Sequence, residues 1–186
     1  MKPVLLFIVG PSGVGKTHLA DSMAVRGIVH VNFDRRDGNG VDIAGLRESW
    51  DSLLNDREPR PLADALREMV GGVCTGAVIT CPSGIMPSNN SNAPAWYLSR
   101  TDLAMTKDRG LQTVILYGRR EDCLNSFLER ERRLQSTLKE EDWVLNNSDW
   151  FNGFRETDFS DCVHHTFHHG ERRSTSEVTQ DIFNTL

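Results

Sequence analysis

Three scarcities narrow what this chain can be. No apolar run approaches the roughly 18 residues that a membrane-crossing helix needs; the run near the start, "VLLFIV", is only long enough for a strand. Positive charge is in deficit, with 21 Lys and Arg against 26 Asp and Glu and a net charge of −5. That balance argues against non-specific nucleic-acid binding through a broad basic surface. The basic residues are clumped, however, at Arg35-Arg36, Arg119-Arg120, Arg130 with Arg132-Arg133, and Arg172-Arg173, so a local basic groove stays open. Cysteine is scarce as well: Cys74, Cys81, Cys123 and Cys162 show no CxxC and no framework spacing, which reads as free thiols in a reducing compartment. The opening "MKPVLLFIVG" is too short for a secretory signal and reads as a buried strand. A cytoplasmic location with no membrane partner is the expectation.

What the chain does have is alternation. A length of 186 residues suits one domain spanning 1–186. Short apolar strands are expected at 4–9, 28–33, 77–81, 113–117 and 162–167. Between them lie helical patterns: about 16–26, one capped by Asp42 with Ile43, Leu46, Trp50, Leu53 and Leu54, and a short one with Leu62, Leu66 and Met69. Another carries Trp96 and Leu103 up to Gly110, and the next starts near Arg120 with Cys123, Leu124, Phe127 and Leu128 inward. The last follows a Ser174–Glu177 capping box. Residues 139–160 mix acids, amides and aromatics without a clear period. Five strands alternating with helices predict an α/β fold, a parallel sheet covered on both faces.

The chemistry begins at "GPSGVGKT", residues 10–17, which fits G-x-x-x-x-G-K-[ST] between a strand and a helix. Gly10, Gly13 and Gly15 let the backbone curl so that amides of Pro11–Thr17, proline excepted, converge on one anion; Pro11, Ser12 and Val14 complete the curl. The helix amino terminus adds partial positive charge there. Lys16 supplies a full charge to the β- and γ-phosphates of a nucleoside triphosphate, and the Thr17 hydroxyl is placed to ligate Mg²⁺. The expected cofactors are therefore ATP and Mg²⁺.

Such a loop names a nucleotide and leaves the reaction open. At the end of the second strand the chain reads "VNFDRRDG". Asp34 would face the crevice at the strand carboxyl ends, as a general base toward an acceptor hydroxyl or a water-mediated metal ligand. Arg35 and Arg36 would clamp an anionic acceptor. An Asx-turn with solvated arginines is the bland alternative. After strand four, "SFLERERRLQ" places Arg130 and Arg133 on one helical face and Arg132 elsewhere. This suggests a lid over about 129–150 whose arginines close on the transferring phosphate. A charged, self-paired surface helix is the alternative. Strand three ends "VITCPSG", with no acid at its carboxyl end. Metal ligation then falls to Thr17, water and Asp34, while Thr80, Ser83 and Gly84 either meet the acceptor or make a plain turn.

In the order of these parts the whole chain resembles the small P-loop kinases: shikimate and gluconate kinases, the kinase domain of polynucleotide kinases and, more distantly, nucleoside monophosphate kinases. The resemblance implies a three-layer fold with a five-stranded parallel sheet of order 2-3-1-4-5 and a helical lid after strand four. "VNFDRRD" is similar to the segment where polynucleotide kinases hold a general base and an acceptor-binding arginine, implying those roles for Asp34 and for Arg35 or Arg36. "GPSGVGKT" resembles the guanylate kinase loop, but the tyrosine- and arginine-rich GMP-binding segment has no counterpart. The resemblance also implies that His168, His169 and Gly170 border the nucleotide base.

"HHTFHH", residues 164–169, invites a metal. On a strand, residues four apart stand roughly 13 Å from each other, too far to share an ion at ~2.1 Å. Trp143, Trp150, Phe151 and Phe154 read either as the core of a connector or as a stack for a base. The expectation is a phosphotransferase with catalytic Lys16, Asp34, Arg130 and Arg133, acting on a hydroxyl of a nucleic acid (DNA or RNA) or a nucleotide. A kinase of a small sugar-like metabolite is the alternative. A P-loop ATPase or switch, with water as the acceptor, is the rival from another class.

Overall fold

A computed structural model describes residues 3–24, 27–33, 46–71, 75–89 and 97–186. Five parallel strands form its centre: β1 (Val4–Val9), β2 (Ile28–Asn32), β3 (Gly76–Thr80), β4 (Leu111–Tyr117) and β5 (Val163–His165). They lie in the order β2-β3-β1-β4-β5, with Val4 opposite Gly76 and Leu5 opposite Leu111. This is the expected 2-3-1-4-5 sheet. β1 is central, and its continuous apolar run follows from burial on both faces. Leu5, Phe7 and Val9 point into one core; Leu6 and Ile8 point into the other.

Helices cover both faces. On one side α1 (Lys16–Ala24), α5 (Arg120–Arg133) and α7 (Thr175–Thr185) contribute Leu19, Met23, Phe127 and Ile182. On the other side α2 (Leu46–Asp51), α3 (Arg60–Val70) and α4 (Arg100–Asp108) contribute Trp50, Leu62, Leu66 and Leu103. A π-helical turn, Ser52–Asp56, extends α2 and ends at Arg57 in the left-handed region. The boxes Ser99–Asp102 and Ser174–Glu177 cap α4 and α7 through reciprocal bonds. Expected features at Asp42, Ile43 and Trp96 lie outside the described residues.

Two stretches differ from the sequence expectation. Residues 139–160, where no period was visible, form α6 (Glu140–Asn152) and then a 3₁₀ turn, Glu156–Phe159. The inward stripe of α6 is Trp143, Asn147 and Trp150, each about 1% exposed. A buried asparagine interrupts the apolar pattern, and Leu145, 80% exposed, adds an apolar position facing out. The last strand stops at His165 rather than 167. Phe167–His168 then turns back to pair antiparallel with Glu171–Arg172, through His169 and Gly170 at positive φ.

Cys81 and Cys123 are buried and Cys162 is half-buried, all free thiols; Cys74 lies outside the described residues. Burial pushes the Cys123 thiol up to about 12 and Cys162 to about 11. Among the described residues no helix is long and apolar enough to cross a membrane.

Candidate functional site

The carboxyl end of β1 runs into the curl of residues 10–15 because α1 must start against the same core. Val14 is fully buried there, and Leu19 N–H donates to Gly15 O (3.0 Å) to open the helix. Gly13 has φ +87°, and a methyl group on it would collide with the carbonyl oxygen of Cys123. Only glycine lets the loop approach α5 so closely. The first amides of α1 have no partner inside the helix and point out of its amino terminus, carrying the positive end of the dipole.

A cavity of about 330 Å³ lies in front of that terminus. Lys16, Arg130, Arg133 and Arg172 line it together with Ser12, Gly13, Gly15, Thr17, His18 and Ser126. Among the described residues its lining holds four cations and no carboxylate, a composition that suits a multiply charged anion. Lys16 is 7% exposed, and its ammonium donates to Gly10 O (2.7 Å) and Pro11 O (3.2 Å). Arg130 lies over the Phe127 ring (5.1 Å) and pairs with the buried Glu131 (Nε to Oε1, 2.7 Å).

Several expected site residues therefore meet at one place: Ser12, Gly13, Gly15, Lys16, Thr17, Arg130 and Arg133. Arg132 does not line the cavity. Gly10, Pro11 and Val14 lie behind it, Pro11 and Val14 with buried side chains. Ser83 is joined to the loop through Ser12 Oγ–Ser83 Oγ (3.1 Å) and borders a separate small recess with Gly84, Tyr97, Asn146 and Asp149. Thr80, in contrast, is buried with its hydroxyl on His30 Nε2 (2.9 Å). Asp34, Arg35 and Arg36 lie outside the described residues; β2 reaches them through Phe33, which is stacked on Trp50 (4.6 Å).

Two contributors had no individual signal in the sequence. Arg172 is folded back over the loop by the Phe167–Arg172 hairpin. Its guanidinium donates to Gly13 O (2.8 Å), Val14 O (3.1 Å) and Ser126 Oγ (2.6 Å) and stacks on Phe167 (4.6 Å). The Arg172-Arg173 pair was visible as a basic clump, but nothing nearby announced the return of the chain. The second is α6. Trp143 and Trp150 are buried and spend their indole N–H groups on Ser12 O (3.0 Å) and Ser83 O (2.6 Å), so they are core and clamp residues. Phe151 and Phe154 are half-buried among aromatic neighbours.

Of the histidines, His164 is buried and burial holds its pKa below the ordinary value. His168 and His169 are exposed at the hairpin turn. No group of three or more metal-binding side chains occurs among the described residues. Beside that turn a second cavity, of about 570 Å³, opens between the carboxyl ends of β4 and β5. Tyr117, Asp122, Glu156, His165 and Phe167 are among the residues lining it.

No protein-family model and no curated protein matches the chain. Solved structures do. A gluconokinase from Sinorhizobium meliloti 1021 superposes with a TM-score of 0.50 and 14% identity, over 99% of this chain and 91% of that one. The chain has the P-loop kinase fold. At that identity the likeness concerns the fold, in which the loop lies at the central strand's carboxyl end.

Proposed function

We propose that this chain is an ATP- and Mg²⁺-dependent phosphotransferase acting on a hydroxyl. One observation carries the reading: four cations and a helix amino terminus converge on a cavity beside a G-x-x-x-x-G-K-T loop, with no carboxylate among the described residues that line it. The loop amides of Gly13–Thr17 and the Lys16 ammonium hold the β- and γ-phosphates. Arg130 and Arg133 neutralise charge that accumulates on the transferring group. The Thr17 hydroxyl, lining the cavity at the start of α1, fits a metal ligand, with Asp34 the acid available from sequence for a water-mediated contact. Bound Mg²⁺ supplies further charge neutralisation on the phosphates. Asp34 accepts the acceptor's proton, while Arg35, Arg36 and Ser83 hold the acceptor. The base lies toward His168–Gly170.

For the acceptor, one feature favours a small polyhydroxy metabolite over a nucleic acid. From α6, Asp149 borders the Ser83 recess with Asn146 and Trp150; Asp142 lies two turns back on the same face, and the helix carries no Lys or Arg. A polyphosphate backbone laid along that face meets repulsion instead of counterion release. The likeness to a gluconokinase supports this choice at the level of fold. The test is a screen with γ-labelled ATP against polyols and sugar acids, nucleotides, and 5′-hydroxyl oligonucleotides. Label is expected on a sugar-like acceptor, and Lys16→Ala should abolish it. Label on oligonucleotides alone overturns the acceptor assignment. ATP consumption unaffected by every acceptor favours the ATPase reading.

A further inference from the structure

The α6 helix is bound to the loop in a way that packing does not require. Ser12 precedes the phosphate-facing amides, and both of its main-chain groups are committed to α6. Its N–H donates to Asn147 Oδ1 (2.7 Å), and its carbonyl accepts from Trp143 Nε1 (3.0 Å). Asn147 Nδ2 donates in turn to Trp143 O (2.8 Å), which fixes the end of the amide that faces the loop. One turn further along, Trp150 Nε1 donates to Ser83 O (2.6 Å), and Ser83 Oγ meets Ser12 Oγ (3.1 Å). Residues 143, 147 and 150 share one helix face. Trp143 is anchored in the core on one side of the sheet and Trp150 in the core on the other. The helix crosses the carboxyl end of the sheet and cannot slide without disturbing both cores.

At its other end α6 is joined to the arginines. α5 ends at Arg133, residues 134–139 are exposed, and α6 begins at Glu140. The same hairpin therefore presents Arg130 and Arg133 to the phosphate cavity and Trp143 and Asn147 to the loop behind it.

We propose that Asn147 is a positioning residue for phosphoryl transfer: through Ser12 it sets the direction in which the loop amides leave β1 and registers them against the arginines of α5. This rests on the phosphotransferase reading and assigns a role within it. Asn147 does not line the cavity in front of α1. It acts through the Ser12 N–H, so its removal alters alignment more than affinity, and a misplacement of about 1 Å costs on the order of 100-fold in rate.

The test uses the full-length chain and transfer from Mg·ATP to the acceptor found by the screen, or to water if none is found. Asn147→Leu keeps the branched outline and four side-chain heavy atoms and removes both polar groups; kcat is expected to fall on the order of 100-fold. Asn147→Asp keeps an oxygen for the Ser12 N–H and adds a negative charge. It should retain kcat within several-fold while raising KM for ATP. Wild-type kcat in Asn147→Leu, with only a lowered melting temperature, overturns the inference, as does an equal loss of kcat in the Leu and Asp variants. Should Asn147→Leu fail to fold, Asn147→Ala removes the acceptor for the Ser12 N–H without adding bulk. A several-fold drop in kcat supports the role, and an unchanged kcat refutes it. A wild-type protein that binds no Mg·ATP by calorimetry removes the phosphotransferase reading itself, which is a separate result from unchanged kinetics in the variants.

Discussion

Replacing Gly13 by alanine tests the contact on which the shape of the site depends. The backbone there has φ +87°, and the added methyl would strike the Cys123 carbonyl, with the Phe127 amide also near (3.1 Å). Holding an L-residue in the left-handed region costs about 1–2 kcal/mol. The collision is with main-chain atoms, so no rotamer relieves it, and forced movement in a packed region costs about 1–3 kcal/mol more. The total is about 2–5 kcal/mol. At about 2–4 °C per kcal/mol for a chain of this size, the melting temperature should fall by about 4–20 °C. Whichever side yields, α5 and the loop separate, and Arg130 and Ser126 on α5 lose their registration with the loop amides. The Kd for Mg·ATP, by isothermal titration, should rise at least tenfold, the equivalent of about 1.4 kcal/mol. Gly84→Ala is the comparison, because nothing lies within 4 Å of a methyl at that position; its melting temperature should stay within about 2 °C of wild type, as for a surface change within ±0.5 kcal/mol. A Gly13→Ala protein that melts with wild type and binds Mg·ATP equally well would refute the close approach of loop and α5.

Other outcomes follow from neighbouring groups. Arg172→Leu removes three charge-assisted bonds to the loop and α5; allowing for partial exposure, a loss of about 1–3 kcal/mol of stability is expected by denaturant titration, with a larger Kd for Mg·ATP at low salt. Arg172→Lys should recover part of the affinity and little of the stability, since one ammonium cannot reproduce the guanidinium fork. His164 is held neutral chiefly by burial, its folded pKa lying below its unfolded value near 6.5. The unfolded chain therefore takes up a proton first as pH falls through about 6.5, and stability declines from there downward. His164→Asn should flatten that decline in melting temperature between pH 7.5 and 5.5; an unchanged slope would show that another group is responsible.

Legibility of the fold followed how each element is stabilised. β1, β3 and β4 are buried on both faces and therefore appear as unbroken apolar runs. The α7 boundary was written locally, in Ser174 and Glu177, whose bonds close within three residues. The phosphate loop was legible because its glycines, lysine and threonine each answer a local demand. Arg130 and Arg133 followed from helical spacing alone. α6 was not legible because its stripe is completed by Asn147, which is tolerated in the core only because the Ser12 N–H, 135 positions away in the chain, meets it. Arg172 was hidden for a related reason: its partners are carbonyls of residues 13 and 14, and only the hairpin brings them within reach.

These two less legible features bear on how the loop works. Three separate parts of the fold hold it: α6 grips Ser12, Arg172 grips the carbonyls of Gly13 and Val14, and the α5 backbone at Cys123 leaves room only for hydrogen at Gly13. A loop constrained from three directions has its amides aimed before an anion arrives, so binding spends little on ordering the backbone. The remaining adjustment belongs to Lys16, whose ammonium rests on the Gly10 and Pro11 carbonyls. To reach a phosphate it exchanges two neutral acceptors for a charged one, and the direct attraction between opposite charges favours the exchange. Under the proposed function, the group that moves on binding is then the Lys16 ammonium, within a loop that stays in place. The Ser12 amide, bonded to Asn147 in the free protein, should therefore exchange hydrogen slowly, and at nearly the same rate with and without Mg·ATP. Strong protection appearing only on binding would mean that the three restraints do not hold the loop.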